Sequence, residues 1–233
     1  MATYPVSYRP EYVEQRNRLT VFFRFLLVIP LMIVGFFYGI AALFTILGAW
    51  FALLFTGRYP DALWRFNTGF LRYWARLGAY TYLQSDPYPP FDTGEHPEYP
   101  VRVVLDPPQE RYSRVKVFFR MILAIPVYIV MQVFSYVMMA VAFVMWVVAV
   151  VTGRMPRGLF DVMTFLHGFA VRVTGYALFL LTDRYPVFND DAARDPGVAL
   201  PPGYGPPPGY GPPPGYGPPP GYGQQPYGEA PPA

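Results

Sequence analysis

Three arginines recur at helical spacing in the segment that follows the first long apolar run of the chain. Arg65, Arg72 and Arg76 fall on one face of a helix predicted over residues 61–83, and Arg172 lies on the matching face of a second helix. Guanidinium groups bind phosphate and carboxylate oxygens, so these four residues are candidates for binding an anion or an anionic lipid headgroup. The alternative interpretation is that the arginines only extend to water at a membrane boundary.

An acid and a histidine are the other notable titratable residues of the predicted helices. Asp161 occupies in the second helix the position of Arg65 in the first. An acid inside a membrane is costly without a partner, which predicts an ion pair between Asp161 and Arg65. Alternatively, Asp161 lies in the first turn of its helix, where an acid is favoured. His167 could relay a proton, but a lone histidine more often packs or forms hydrogen bonds.

The sequence contains no pattern that indicates catalysis or a cofactor. It has no cysteine and two histidines, which leaves no transition-metal site. Phosphate-binding loops, nucleophile elbows, paired carboxylates within an apolar helix and dinucleotide fingerprints are absent. The net charge of +3 is spread along the chain, unlike the concentrated basic face of a nucleic-acid-binding protein. We therefore expect a protein that is not an enzyme and has no cofactor, metal site or nucleic-acid partner.

Two long apolar runs must position these residues. They cover residues 19–57 and 115–153, the second repeating the first about 96 positions later. Each is longer than the roughly 20 residues that cross a bilayer. Pro30 lies within the first run and predicts a break between an interfacial helix, 16–28, and a spanning helix that ends near Phe55. The Thr-Gly pair that closes each run predicts the helix end.

These patterns predict an all-α membrane protein of two tandem repeats and a tail. The repeats cover residues 1–95 and 96–190, and each comprises an interfacial helix and a helical hairpin, giving about four transmembrane helices. Short extended segments flank the helices, among them a strand at 101–105. The tail, 191–233, repeats Pro-Pro-Pro-Gly-Tyr-Gly and is predicted to be disordered with polyproline II character.

The charge distribution predicts an orientation for these helices. Two crossings per repeat would give both repeats the same orientation, and the positive-inside rule then places the N-terminus, the inter-repeat segment and the tail in the cytoplasm. The competing interpretation makes the second helix of each repeat interfacial, so that the chain crosses twice and the repeats are inverted. Arg65, Arg72 and Arg76 favour this second interpretation, because each is costly at a lipid-facing helix centre.

The pattern YPV…RVKVFFRMILAIP…TGRMPRGLFD…RVTGYALFLLTDRYPVF resembles the bacterial membrane family known as domain of unknown function 4389. The resemblance covers residues 4–91 and again 99–188. It implies membrane residence and a tandem architecture, and it implies no activity, since none is assigned to the family.

The function expected from these features is that of a non-enzymatic structural or interaction component of the cytoplasmic membrane. Its partners would be the lipid bilayer, a cytoplasmic protein that binds the proline-rich tail, and a second copy of the chain in a homo-oligomer. One alternative is a small transporter or channel-like oligomer with a polar path between the repeats. Another is a module that binds anionic lipid through the arginine stripe, which consists of Arg65, Arg72 and Arg76.

Overall fold

The structure, a computed structural model, describes residues 4–188 of the chain, so the predicted disordered tail lies outside the described residues. The order of elements in the first half is repeated in the second. The elements are β1 (Val6–Pro10), α1 (Arg18–Phe22), α2 (Arg24–Thr56), α3 (Asp61–Thr81), β2 (Val101–Leu105), α4 (Arg114–Phe118), α5 (Arg120–Thr152), α6 (Arg157–Val173) and a π-helical turn (Thr174–Leu178) that continues α6.

Local sequence sets where the short helices begin and where the long helices end. The Asn17 side chain accepts the Leu19 and Thr20 N–H groups at the start of α1, and the Ser113 hydroxyl accepts the Lys116 N–H at the start of α4. Helices α2 and α5 end at Gly57 and Gly153, whose φ values of 70° and 71° are left-handed and suit glycine. The Thr-Gly helix ends predicted from the sequence are therefore confirmed.

The predicted helix break at Pro30 is wrong, because the break lies seven residues earlier. Phe23 alone is non-helical between α1 and α2, and Pro30 lies inside α2. Its ring lies on the exposed side of the helix. There, neither the ring nor the missing backbone hydrogen bond disturbs the packing of the core. The preceding bend instead turns the Arg24 side chain into the protein interior.

The two strands, one from each repeat, form an antiparallel pair. The strand predicted at 101–105 is confirmed as β2, and Tyr8 of β1 lies opposite Val103 of β2 at the centre of the register. These two residues are equivalent within their Tyr-Pro-Val segments. An approximate two-fold axis that relates the repeats therefore passes through this pair, perpendicular to the strands.

The repeats exchange their short helices. Helix α1 packs against the end of α5, where the Arg16 N–H donates to the Gly153 carbonyl at 2.9 Å. Helix α4 packs against the end of α2, where the Tyr112 N–H donates to the Gly57 carbonyl at 2.9 Å. The start of α2 thus lies beside the end of α5 and the start of α5 beside the end of α2, so the two long helices are antiparallel.

The expectation that α2 and α5 run in the same direction, as two crossings per repeat would require, is therefore wrong. It would place Arg16 and Gly153 on opposite sides of a bilayer, whereas their backbones are hydrogen-bonded. Charge counting missed this because it treated each repeat as self-contained. The contacts that fix the relation between the repeats join residues more than fifty positions apart.

The elements stack in layers perpendicular to the two-fold axis. Helices α2 and α5 pack mainly on α3 and α6 respectively. Helix α3 in turn packs against β2, and α6 against β1, so the strands lie on the side of α3 and α6 away from the long helices. One face of the protein is therefore made by α2 and α5, and the other by the strands and connecting segments.

Among the described residues, two helices are long and apolar enough to cross a membrane, α2 and α5, each of 33 residues. Only 22% and 17% of their most apolar stretches are buried in the protein, unlike the core helices of a water-soluble domain. The four transmembrane helices predicted from the sequence are not confirmed, since only α2 and α5 meet these requirements among the described residues.

Candidate functional site

The arginine stripe of α3 holds the segment that follows the helix. Arg76 is buried and donates to the backbone carbonyls of Asp92 and Gly94, at 2.6 and 2.8 Å. Arg72 forms an ion pair with Glu95 at 2.6 Å. Residues 92–95 thus cross the arginine stripe and bind the guanidinium groups of Arg72 and Arg76, which the sequence predicted to be candidates for binding an anion.

The two other candidate arginines also fail to join a common site. Arg172 is buried in α6 and donates to the carbonyls of Val187 and Phe188, at 3.1 and 2.9 Å. Arg65 is exposed near the start of α3. Arg72 and Arg76 therefore hold one segment, whereas Arg65 and Arg172 lie elsewhere, and three of the four arginines hold the chain that follows their own helix.

The predicted ion pair between Arg65 and Asp161 is not formed within residues 4–188. Leu71 packs near Gly175 and Gly78 near His167, which shows that α3 and α6 run antiparallel. Equivalent positions of the two helices, such as those of Arg65 and Asp161, consequently lie at opposite ends of the pair. The prediction assumed that equivalent positions would meet.

Each repeat contains one buried arginine, Arg24 or Arg120, that was not among the candidate site residues and that binds the closing turn of its repeat. We call each arginine with its partners a clamp. Arg24 donates to the carbonyls of Tyr80 and Ser85 and to the Asp86 carboxylate at 2.8 Å, with its guanidinium 4.3 Å from the Tyr80 ring centre. Arg16 also approaches Asp86, at 3.3 Å.

Arg120 makes the equivalent set in the second repeat. It donates to the Thr182 carbonyl and to Asp183 at 2.9 and 2.6 Å, and its guanidinium is 4.2 Å from the Tyr176 ring centre. The signal was present in the sequence, since Phe-Phe-Arg and an Asp-containing closing turn occur once in each repeat.

His167 lies in a buried polar cluster near the two-fold axis. Its Nδ1 is 2.9 Å from Gln84 Oε1 and 3.1 Å from the Tyr8 hydroxyl. Burial lowers the pKa of His167 to about 3, so the ring is neutral. This geometry matches a hydrogen-bonded packing residue rather than a proton relay.

The face formed by α2 and α5 exposes large apolar side chains along its whole length. At about 1.5 Å per residue, each helix is roughly 50 Å long. Exposed aromatic and aliphatic residues recur on α2 at helical spacing from its first turn to its last, and α5 repeats the pattern. On α2 they are Phe25, Leu26, Ile29, Met32, Ile33, Phe36, Phe37, Ile40, Leu43, Phe44, Leu47, Phe51 and Phe55.

A groove of about 540 Å³ opens between the start of α2 and the middle of α5. Its walls are mostly apolar, with Phe25 on one side and Tyr136, Met139 and Trp146 on the other. Gln132 adds a polar group to the lining. The groove could accept an apolar chain, and its lining offers no acid–base pair for catalysis.

The described part of the chain offers no metal site, because no three His, Cys, Asp or Glu side chains in residues 4–188 are grouped so as to hold an ion.

Comparison with known proteins gives one match. A family model described as "Domain of unknown function (DUF4389)" matches residues 18–92 and again residues 114–189. No curated protein matches the chain. No solved structure matches it either.

Proposed function

This chain belongs to the DUF4389 family as a tandem member, and from that premise we propose that it is a non-enzymatic structural or interaction component of a membrane. The observation that carries the proposal is the continuous apolar face of α2 and α5. Soluble monomers rarely expose apolar patches of more than a few hundred Å², and two neighbouring helices of about 50 Å exceed that size. Lipid is the solvent that such a face requires.

The two repeats act in this proposal as one amphipathic body that lies in a single leaflet. The two-fold axis passes through the β1–β2 pair and is perpendicular to the long helices. If α2 and α5 crossed the bilayer, the strands would lie level with its middle. A two-stranded sheet has open edges, which do not occur facing hydrocarbon.

The charges beside the strands support the same arrangement. Glu11, Glu98 and Asp106 flank β1 and β2 and are exposed. Placing the two-fold axis along the membrane normal keeps all three in water and lays α2 and α5 flat, with their apolar face submerged by about 5–10 Å.

A crossing arrangement is the second candidate. In it α2 and α5 would each cross once, in opposite directions, and the strand face would need cover from a second copy or would line an aqueous path. This is the form that a transporter or channel-like oligomer would take. The length and hydropathy of α2 and α5 are the observation that favours it, since each has 33 residues and is long and apolar enough to cross a membrane.

The cellular side remains part of the proposal. With the axis along the normal, one side of the membrane holds the strands, the connecting segments and both ends of the described chain. We assign that side to the cytoplasm because the negative surface potential of the cytoplasmic leaflet attracts the exposed basic residues of this side, and residues 191–233 are then available to a cytoplasmic protein partner. The chain would then be a component of the cytoplasmic membrane.

Single-cysteine labelling tests the arrangement, because the natural sequence has no cysteine. Cysteine replaces Arg58, Glu95 or Arg154, and a membrane-impermeant maleimide is applied to intact cells and to inverted vesicles. The single-leaflet arrangement predicts that all three positions react from the cytoplasmic side. Opposite sides for Arg58 and Arg154 would instead establish crossing by α2 and α5.

A further inference from the structure

A basic pocket of about 730 Å³ lies in the second repeat, at the edge of the apolar face. Arg111, Lys116 and Arg184 line it, and Ser113 adds a hydroxyl. The pocket also contains the Asp183 carboxylate, but that group already accepts hydrogen bonds from Arg120 and from the Ser113 N–H. The basic side chains therefore dominate the charge that the pocket presents to a ligand.

The first repeat lacks this concentration of charge. The positions equivalent to Arg111, Lys116 and Arg184 hold Gln15, Thr20 and Pro87. The Arg24 and Arg120 clamps and the tyrosines beside them are repeated around these positions, whereas the buried Arg16, which pairs with Asp86 in the first repeat, is replaced by Tyr112 in the second. Maintaining the fold thus does not require the three cations, since the first repeat closes without them.

The surroundings of the pocket indicate its ligand. Leu123 of α5 forms part of the lining, and the neighbouring Phe119 and Ile122 are exposed on the apolar face. Tyr185, 48% exposed, completes the opposite wall, and tyrosine is enriched where hydrocarbon meets water. A ligand that fits has an anionic group for the pocket and an apolar chain for the adjoining face.

We propose that this pocket binds the phosphate headgroup of an anionic phospholipid, whose acyl chains contact the apolar face beside the start of α5 as they extend into the leaflet. The phosphodiester oxygens accept hydrogen bonds from Arg111, Lys116 and Arg184, and the acyl chains contact Leu123 and its apolar neighbours. This proposal rests on the membrane placement proposed above. It assigns to the second repeat a lipid selectivity that the first repeat lacks.

The test measures binding of an acyl-chain-labelled phosphatidylglycerol to the full chain in zwitterionic detergent, by fluorescence anisotropy. A basic residue near an anionic membrane surface contributes about 1 kcal/mol, so each of Arg111→Gln, Lys116→Thr and Arg184→Gln should weaken binding about fivefold. The triple variant should weaken it on the order of a hundredfold. A triple variant with unchanged affinity would overturn the proposal.

A matched control removes the same charge elsewhere. Arg65→Gln, Arg154→Gln and Arg157→Gln are combined, since all three arginines are exposed and none lines the pocket. This variant should bind the labelled lipid as the natural chain does. Equal weakening in both triple variants would show that net charge alone attracts the lipid and would overturn the assigned site.

A gain-of-binding variant keeps the test informative if the loss variants fail to fold. Gln15→Arg, Thr20→Lys and Pro87→Arg give the first repeat the residues of the second. The stoichiometry of bound phosphatidylglycerol should rise from one to two per chain. A stoichiometry that stays at one in a folded protein would contradict the proposal.

Competition distinguishes a lipid from a free anion. Unlabelled phosphatidylglycerol should displace the probe, whereas phosphatidylcholine and millimolar inorganic phosphate should not. Displacement by inorganic phosphate alone would reassign the pocket to a soluble phosphate compound and overturn the lipid proposal. The cysteine-labelling result reports membrane placement independently, so failure of the headgroup site and failure of the placement give different outcomes.

Discussion

Removing the carboxylate of the Arg120–Asp183 pair should destabilise the protein strongly. The Arg120 side chain is 1% exposed and that of Asp183 is 12% exposed, with 2.6 Å between Nη2 and Oδ1. Asp183→Asn removes the negative charge while its amide oxygen can still accept the Ser113 N–H. Breaking a buried pair from one side costs about 3–5 kcal/mol, because the remaining charge stays buried without its counter-ion.

The Thr182 carbonyl and the Tyr176 ring remain as partners of Arg120, so the expected cost for Asp183→Asn lies at the lower end, about 3 kcal/mol. Replacing Arg120 as well removes the uncompensated charge. The Arg120→Met, Asp183→Asn double variant should therefore cost less than the sum of its single variants by about 2–3 kcal/mol.

Equilibrium denaturation in detergent micelles, followed by tryptophan fluorescence, measures these free energies of unfolding. Glu14→Gln is the control, because Glu14 pairs with Arg154 at 3.9 Å and both side chains are more than half exposed. That change should leave stability unaltered. If Asp183→Asn were as mild as Glu14→Gln, or if the two single changes were additive, the clamp would not hold the repeat closed.

Two further predictions concern a helix contact and a loop. Gly78→Ala should destabilise the protein by more than about 1 kcal/mol, because the added Cβ would lie 2.5 Å from His167 Nε2. Gly39→Ala is the control, because a Cβ at Gly39 meets nothing within 4 Å. This control should be neutral or slightly stabilising in the same denaturation assay. The pKa of His96 is raised above 6.5 by its hydrogen bonds to Asp92 and Glu98, so Asp92→Asn should lower it in an NMR titration of the imidazole signals. The His96 pKa is higher in the folded protein, so this contact stabilises the loop below pH 6.5 and the contribution is lost as pH rises through the folded value.

Much of the local structure follows from the sequence. The tandem repeat, the strand at 101–105 and the helix ends at Gly57 and Gly153 depend on neighbours in the chain, and all are confirmed. The family resemblance is also confirmed, over residues 18–92 and 114–189.

The relation between the repeats could not be predicted in the same way. It depends on β1 pairing with β2 and on α1 and α4 exchanging partners, and no local pattern encodes such distant contacts. These contacts make α2 and α5 antiparallel, so they do not run in the same direction as predicted. They also make α3 and α6 antiparallel, which places Arg65 and Asp161 at opposite ends of that helix pair.

The contacts of the arginine stripe are a second feature that local sequence patterns could not predict. Helical spacing correctly placed Arg65, Arg72 and Arg76 toward one side of α3. It could not show that residues 92–95 fold back across that side, because their polar sequence only predicts a loop. The clamps at Arg24 and Arg120 were accessible from the repeated motifs, but their burial was not.

The depth of α2 in the bilayer distinguishes the single-leaflet arrangement from a crossing one. Spin labels replace Phe25, Ile40 or Phe55, which are exposed near the start, middle and end of the helix, and collision with oxygen and with a water-soluble nickel complex reports depth in reconstituted vesicles. The single-leaflet arrangement predicts the same shallow depth of about 5–10 Å at all three positions. A crossing helix would place Ile40 about 15 Å deep, at the bilayer centre, with Phe25 and Phe55 near opposite surfaces, and that result would contradict the account.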